Sequence, residues 1–230
     1  MITYFATPRS RNEIDILAEE GAAHLLIPYS DSSFELFYKY ALSKGLKILV
    51  DSGAYTAFTQ GKKIDIVEFG AKMLELSPKK FINLDVIGDA VETTQNQKYL
   101  ESLGLNPIPV WHHGSAYESL NELVKKYDLI AIGGLVTTGI SSKKRNEILK
   151  TIIQMFPLTK FHGLGVGTAV DGLYSGDSTA WIAGARYGRL ITKKGSVNLS
   201  GSYFTKHELL RHNIRGILRY GQPDEFQTGT

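Results

Sequence analysis

The chain has 230 residues, of which 43% are hydrophobic and 21% charged, and its formal net charge is +3. A chain of this size can bury a core large enough to fold as one domain without covalent staples. It contains no cysteine, which excludes a disulfide scaffold, cysteine-ligated zinc, an iron–sulfur cluster and a thiol nucleophile. No apolar stretch approaches the roughly 18 residues of a membrane span, so we expect a cytoplasmic protein without membrane contact.

Short apolar runs alternate with longer amphipathic stretches along the chain, a pattern typical of alternating strands and helices. Because the runs are almost continuously apolar, we expect strands buried on both faces of a parallel sheet. Strands are predicted, in chain order, at residues 2–6, 24–28, 47–50, 81–84, 107–111, 129–132, 160–165 and, more weakly, 174–179. Helices are predicted at 14–20, 34–43, 66–76, 93–102, 118–126 and 143–156, and a last, basic helix opens with a capping box at Thr205 and Glu208.

Eight strands that alternate with helices predict an α/β fold, a (β/α)8 TIM barrel formed by residues 1–220 as a single domain. Its seventh unit is abbreviated, because only residues 170–174 are available for a helix there. The polar residues 221–230 are expected to form a flexible tail. The alternative is a doubly wound open sheet, which favours a glycine-rich turn after the first strand, whereas Ala-Thr-Pro-Arg-Ser follows at 6–10.

Three aspartates stand at the ends of predicted strands, where barrel enzymes place their catalytic groups. Asp51 and Asp85 directly follow the third and fourth strands, and Asp177 lies in the eighth. A single aspartate at such a position is usually a helix cap. Three that open into one pocket can supply a nucleophile, an acid/base and an acceptor for a base.

Two histidines, His112 and His113, follow the fifth strand. Neighbouring residues on a strand point to opposite faces, so only one of them can face the pocket. Together with an aspartate it would form a divalent metal site, which is the first alternative to acid/base chemistry. His162 lies inside an apolar run, and we interpret it as a hydrogen-bonded core histidine.

The charge of the chain is unevenly distributed. Residues 186–219 carry eight lysines and arginines and one acidic residue. Such a segment is either a surface that contacts a polyanion or simply a solvated helix face. The glycine-rich residues 165–168 follow the seventh strand, where barrels often hold phosphate, so a phosphate-handling barrel enzyme stays open.

Five segments in one order resemble the tRNA-guanine transglycosylases (queuine tRNA-ribosyltransferases). They are Asp-Ser-Gly-Ala-Tyr at 51–55, Asp85, Ala-Ile-Gly-Gly-Leu at 131–135, Gly-Val-Gly-Thr at 165–168, and Asp177. The stretch from Gly184 to Thr192 stays in register with the family. The ordered set is more specific than any of its motifs alone.

The resemblance implies an enzyme that exchanges a nucleic-acid base through a covalent glycosyl–enzyme intermediate, without a cofactor and without a metal. Asp177 matches the family nucleophile, Asp51 the acid/base, and Asp85 the acceptor for the guanine edge. The remaining implied base-binding residues are Ser52, Gly53, Tyr55, His113, Gly133, Gly134, Leu135 and Gly165. The basic segment implies a phosphate clamp by Arg186, Arg189, Lys193, Lys194, Arg211 and Arg215.

Several departures separate the chain from the main family. The cysteine-containing zinc module is absent, Ala54-Tyr55-Thr56 replaces Gly-Phe-Gln, and Trp181 and Ala183 replace Pro and Arg. A short zinc-free relative is similar to the phage-encoded branch, which inserts 7-deazaguanines into DNA, and which would work in the host-cell cytoplasm. The expected partners are therefore DNA and a 7-deazaguanine base such as the 7-cyano form, with tRNA as the alternative polymer, and a homodimer stays open. A catalytically silent nucleic-acid-binding partner subunit is the remaining alternative.

Overall fold

The structure is a computed structural model that describes residues 1–136, 139–167, 169–182, 189–192, 195–198 and 205–220. Within these ranges, no helix combines the length and the apolar character that crossing a membrane requires.

A parallel sheet of seven strands forms the centre of the fold. The strands are β1 (Ile2–Ala6), β2 (His24–Pro28), β3 (Lys47–Asp51), β4 (Val110–His112), β5 (Leu129–Gly133), β6 (Lys160–Gly163) and β7 (Ser175–Ser178). Their order in the sheet is β3-β2-β1-β7-β6-β5-β4, so the first and last strands lie side by side in its middle. A separate antiparallel pair consists of β8 (Arg189–Thr192) and β9 (Gly195–Asn198).

The predicted strand at 81–84 is wrong as a full strand. Only isolated parallel bridges form there, between Phe81 and Val50 of β3 and between Ile82 and Ile108, just before β4. The Ile82 N–H donates to the Val50 carbonyl at 2.8 Å, and the Ile108 N–H donates to the Phe81 carbonyl at 2.8 Å. Residues 81–82 therefore connect the two edge strands of the sheet. Only these two residues pair with the sheet, because the chain leaves it directly afterwards and continues into the loop that carries Asp85.

The helices lie between the strands. Those of the described residues are α1 (Arg11–Glu19), α2 (Phe34–Ser43), α3 (Ala54–Thr59), α4 (Ile66–Leu76), α5 (Ala90–Ser102), α6 (Tyr117–Lys126), α7 (Ser142–Met155) and α8 (Lys206–Tyr220). The capping box of α8 is confirmed, since the Thr205 N–H donates to the Glu208 carboxylate and the Glu208 N–H donates to Thr205 Oγ1. α3 and the β8–β9 pair have no counterpart among the predicted elements.

Apolar side chains fill both faces of the sheet. Alternate residues of the strands form an inner cluster, made of Tyr4, Ala6, Leu26, Leu49, Ile82, Ile108, Val110 and Ala131. Their neighbours, such as Phe5, Ile27 and Val50, belong to the larger cluster under the helices. This arrangement explains why the strands read as continuous apolar runs. Because Leu49 of β3 and Val110 of β4 share the inner cluster, the sheet curls as in part of a barrel.

β7 and the residues that follow it are attached to β1. Register pairs Tyr4 with Asp177, and Trp181 is fully buried with its ring edge-on to Phe5. The Trp181 Nε1–H donates to the Ala6 carbonyl at 3.0 Å. No helix forms in the described part of the segment between β6 and β7, as the abbreviated seventh unit predicts.

Salt bridges attach α8 to the end of α1. Glu19 is the last residue of α1 and Glu20 is its C-cap, where a negative charge is unfavourable because the helix dipole is negative there too. Arg211 contacts Glu19 at 2.6 Å and Glu20 at 3.0 Å, and Arg215 also binds Glu20. The hydrogen bonds from Arg215 and Arg211 lower the pKa of Glu20 despite its burial.

Replacing Glu20 with glutamine is expected to lower the free energy of unfolding by about 1 kcal/mol at pH 7. The pKa of Glu20 is lower in the folded chain, so its contribution is present above the unfolded value and disappears as the pH falls through the folded value. Urea unfolding of the parent chain and the variant at pH 7 and at pH 3 measures the loss of stability and its dependence on pH. Glu19→Gln is the matched control, because the Glu19 side chain is 56% exposed and its replacement should lower the free energy of unfolding by less. Equal losses in the two variants would contradict this role of Glu20.

Candidate functional site

Asp51 ends β3 and is half-buried at the carboxyl edge of the sheet. The N–H of Gly53 donates to its Oδ2 at 2.9 Å. Burial, and after it the charges of Asp85 and Asp177, raise the pKa of Asp51 to about 7, although the hydrogen bonds from the Gly53 and Ser52 amides oppose the shift. The charges of Asp85 and Asp177 therefore act on Asp51, and its protonated form is stabilised relative to that of an ordinary aspartate.

Asp85 is held by two side chains. The Ser52 hydroxyl donates to Asp85 Oδ1 at 3.3 Å and accepts a hydrogen bond from the Ala54 N–H. His112 Nε2 lies 3.0 Å from Asp85 Oδ2. A carboxylate has only acceptors, so the His112 tautomer that makes this bond carries its proton on Nε2. Asp85 is fixed in position and is 6% exposed.

Asp177 lies in β7 and is bound through one oxygen. Its Oδ1 accepts the Gly165 N–H at 2.9 Å and lies 3.2 Å from His162 Nε2. His162 Nδ1 in turn lies 2.9 Å from the Ser175 hydroxyl. The consistent assignment is that Ser175 donates to Nδ1 and His162 donates to Asp177. No described residue donates to Oδ2, which leaves that oxygen for an electrophile.

Two glycines allow these contacts. A side chain at Gly176, between Ser175 and Asp177, would place its Cβ 2.0 Å from the Val166 carbonyl, so only glycine lets the loop of Gly165 close on β7. Gly53 has φ +77°, and a Cβ there would lie 2.0 Å from Ser30 Oγ. Its left-handed conformation turns the chain from β3 into α3 immediately after Asp51.

The remaining predicted base-binding residues lie around the same edge. Gly133 ends β5, Leu135 is fully buried two residues later, and Gly134 between them has φ +78°. His113 donates its backbone N–H to the Gly133 carbonyl at 2.9 Å. Its Nδ1 is buried without a hydrogen-bond partner among the described residues, so His112, and not His113, contacts an aspartate. Tyr55 is exposed on α3.

The predicted phosphate clamp is only partly described. Arg186, Lys193 and Lys194 lie outside the described residues, and Arg189 is described only as a backbone position in β8. Arg211 and Arg215 bind Glu19 and Glu20, as given above, so much of their charge is neutralised within the chain. No group of three His, Asp or Glu side chains in the described part of the chain is placed to hold a metal ion.

Sequence reasoning did not assign His162 or Ser175 to the site, and of the neighbouring pair His112 and His113 it gave the base-binding role to His113. His162 is a buried, hydrogen-bonded histidine as interpreted, yet its partner is the candidate nucleophile. The alternation of side chains along a strand could have indicated Ser175, because it precedes Asp177 by two residues and therefore lies on the same face of β7.

No protein-family model matches the chain, and no curated protein is significantly similar to it in sequence. An assignment of function therefore starts from the chemistry of these three aspartates and the groups that hold them.

Proposed function

We propose that this protein is a base-exchange transglycosylase, which replaces guanine in DNA with a 7-deazaguanine derivative through a covalent bond between Asp177 and the sugar. The observation that carries the proposal is the geometry of Asp177, whose Oδ1 is held by the Gly165 amide and His162 while Oδ2 has no donor among the described residues. The environment of Asp51 agrees with it, because burial and the charges of Asp85 and Asp177 raise the pKa of Asp51 to about 7. A carboxyl whose pKa lies near neutral pH can both give and take a proton, as the two halves of a base exchange require.

In the first half, Asp177 Oδ2 attacks C1′ of the target nucleotide and the bond from C1′ to guanine N9 breaks. Protonated Asp51 gives its proton to the departing guanine. The donors on Asp177 Oδ1, the Gly165 amide and His162, hold the carboxylate so that its other oxygen faces the sugar. The products are neutral guanine, an ester between Asp177 and C1′, and ionised Asp51.

In the second half, N9 of the incoming base attacks C1′ and displaces the Asp177 carboxylate. Ionised Asp51 takes the proton from N9, which returns the enzyme to its starting state. Two displacements at one carbon restore the original configuration, as in retaining glycosidases. One glycosidic bond replaces another, so the exchange needs neither an oxidant nor an energy source.

Asp85 is the acceptor for the guanine-like edge of the base. Each of its oxygens already accepts one hydrogen bond, from Ser52 and from His112, and each has a second lone pair for the N–H groups of the base. His112 thus positions Asp85, whereas the sequence resemblance implied base binding by the neighbouring His113. Tyr55, on α3, supplies a ring to stack on the base.

The fold that we propose for this site is the closed (β/α)8 barrel. Residues 81–82 form single parallel bridges to both Val50 and Ile108, which supports closure of the parallel sheet between its two edges although no full strand forms there. In such a barrel the carboxyl ends of all strands surround one mouth, which brings the three aspartates together.

The decisive experiment incubates the protein with DNA or tRNA and with a labelled 7-deazaguanine base such as the 7-cyano form. We expect label in DNA, release of one guanine for each label gained, and no label in tRNA. Label in tRNA alone would assign the activity to tRNA modification. Label in neither polymer, with the protein folded, would contradict a base exchange and favour the silent partner subunit or another barrel activity.

A further inference from the structure

We propose that α3 and the two lysines after it form a stacking platform for an unpaired polynucleotide strand. The platform is defined as Tyr55, Phe58, Lys62 and Lys63. The inference rests on the proposed function for the place of the target nucleotide, but the binding itself does not depend on base exchange.

The platform carries two exposed aromatic rings within one helical turn. Tyr55 is 48% exposed and Phe58 is 58% exposed, and residues three apart on a helix are neighbours on its surface. Tyr117, at the start of α6, is a third aromatic residue with more than a third of its surface exposed. All three follow β3 or β4, at the carboxyl edge of the sheet that also holds the aspartates. Three exposed rings of the described chain thus lie at the edge of the sheet that carries the candidate site.

The helix end fixes the lysines next to these rings. Gly61, with φ +64°, donates its N–H to the Phe58 carbonyl at 3.0 Å, and the Lys62 N–H donates to the Ala57 carbonyl at 2.8 Å. These two bonds are those of a Schellman motif, which folds the chain back over the end of the helix. Lys62 and Lys63 are exposed, and no acidic residue lies between Asp51 and Asp65.

An unpaired strand is the occupant that fits this combination. Every base offers a flat face to an aromatic ring, and each phosphate offers a negative charge to a lysine. In a duplex the faces of the bases are covered by their neighbours, so exposed rings favour bases that are unstacked. On the basic helix α8, by contrast, Arg211 and Arg215 are bound to glutamates. α3 begins directly after Gly53, whose N–H binds Asp51, and this places a bound strand next to the reacting groups.

The test measures binding of a fluorescein-labelled oligo(dT) strand to the full chain by anisotropy. Oligo(dT) contains no guanine, so it cannot be a substrate for exchange. Phe58→Ala is expected to weaken binding about tenfold, the effect of removing the ring under one stacked base. Lys62→Gln with Lys63→Gln should lower the slope of log affinity against log salt by about 1.4, or about 0.7 for each phosphate that the protein no longer neutralises.

Leu158→Ala is the matched control, because Leu158 is 97% exposed and lies before β6, at the opposite edge of the sheet. Its binding should equal that of the parent chain. Equal affinities for Phe58→Ala and Leu158→Ala, or equal binding of oligo(dT) and its duplex with oligo(dA), would overturn the platform. If oligo(dT) binds through Phe58 while no labelled base enters DNA, the platform stands and the proposed function fails.

Discussion

Asp177→Asn is expected to abolish the covalent protein–DNA adduct and to reduce base exchange roughly 10⁴-fold or more, the scale of losing a nucleophile. An amide does not displace the base and does not leave as a carboxylate. The oxygen that accepts from Gly165 remains in asparagine, so the fold around β7 should persist. Mixing the protein with DNA, quenching in denaturant and running a gel should show a shifted band for the parent chain and none for the variant.

The control for this experiment is Asp85→Asn. That change replaces one of two acceptor oxygens with a donor facing the base, so it should alter which base is accepted more than it alters adduct formation. A band that persists in Asp177→Asn and disappears in Asp85→Asn or Asp51→Asn would mean that another aspartate is the nucleophile.

Adduct formation is expected to depend on pH through Asp51. In the proposed mechanism the departure of guanine needs protonated Asp51, and burial beside two aspartates raises the pKa of Asp51 to about 7. The rate of adduct formation should therefore be level below pH 7 and fall about tenfold for each pH unit above it. The complete exchange also needs the ionised form, so its rate should peak near pH 7. Asp51→Asn should form the adduct about 10²- to 10⁴-fold more slowly and without this dependence on pH.

The same pKa predicts how Asp51 affects stability. Its carboxyl binds a proton more tightly in the folded chain than in the unfolded chain, where the pKa is about 4. The folded state therefore loses stability as the pH rises from about 4 to about 7 and has lost the full amount above that. Asp51→Asn should be more stable than the parent above pH 7, by at least about 1.4 kcal/mol, the value of one pKa unit. A less stable variant at pH 8, or a retained fall of rate above pH 7, would contradict the assignment.

Several strands and helices could be predicted from local sequence patterns. Continuous apolar runs identified β1 and β2 with the bounds that the structure has, and apolar spacing did the same for α2 and α4. The rule that barrel enzymes carry catalytic groups at the ends of their strands selected Asp51, Asp85 and Asp177 as candidates. The charges of Asp85 and Asp177 raise the pKa of Asp51, as expected for carboxyls that lie near one another.

Other features depend on contacts between distant parts of the chain. α3 has six residues, too few to display a helical period, and its position depends on Gly53 fitting against Ser30. The choice between His112 and His113 depends on the direction in which Asp85 approaches. The bond of His162 to Asp177 joins two strands, so an apolar run alone indicates only that the ring is buried.

The pairing of β1 with β7 has a consequence for synthesis on the ribosome. Ile2 pairs with Ser175, so one edge of the first strand has no partner until nearly the whole sheet has been translated. Contacts of such long sequence separation slow folding, and until β7 is available the unpaired edge of β1 can pair with another chain and aggregate. The late strand also carries Asp177. A truncated or nascent chain that ends before this strand therefore lacks Asp177, the proposed nucleophile, so the proposed chemistry requires an almost complete chain.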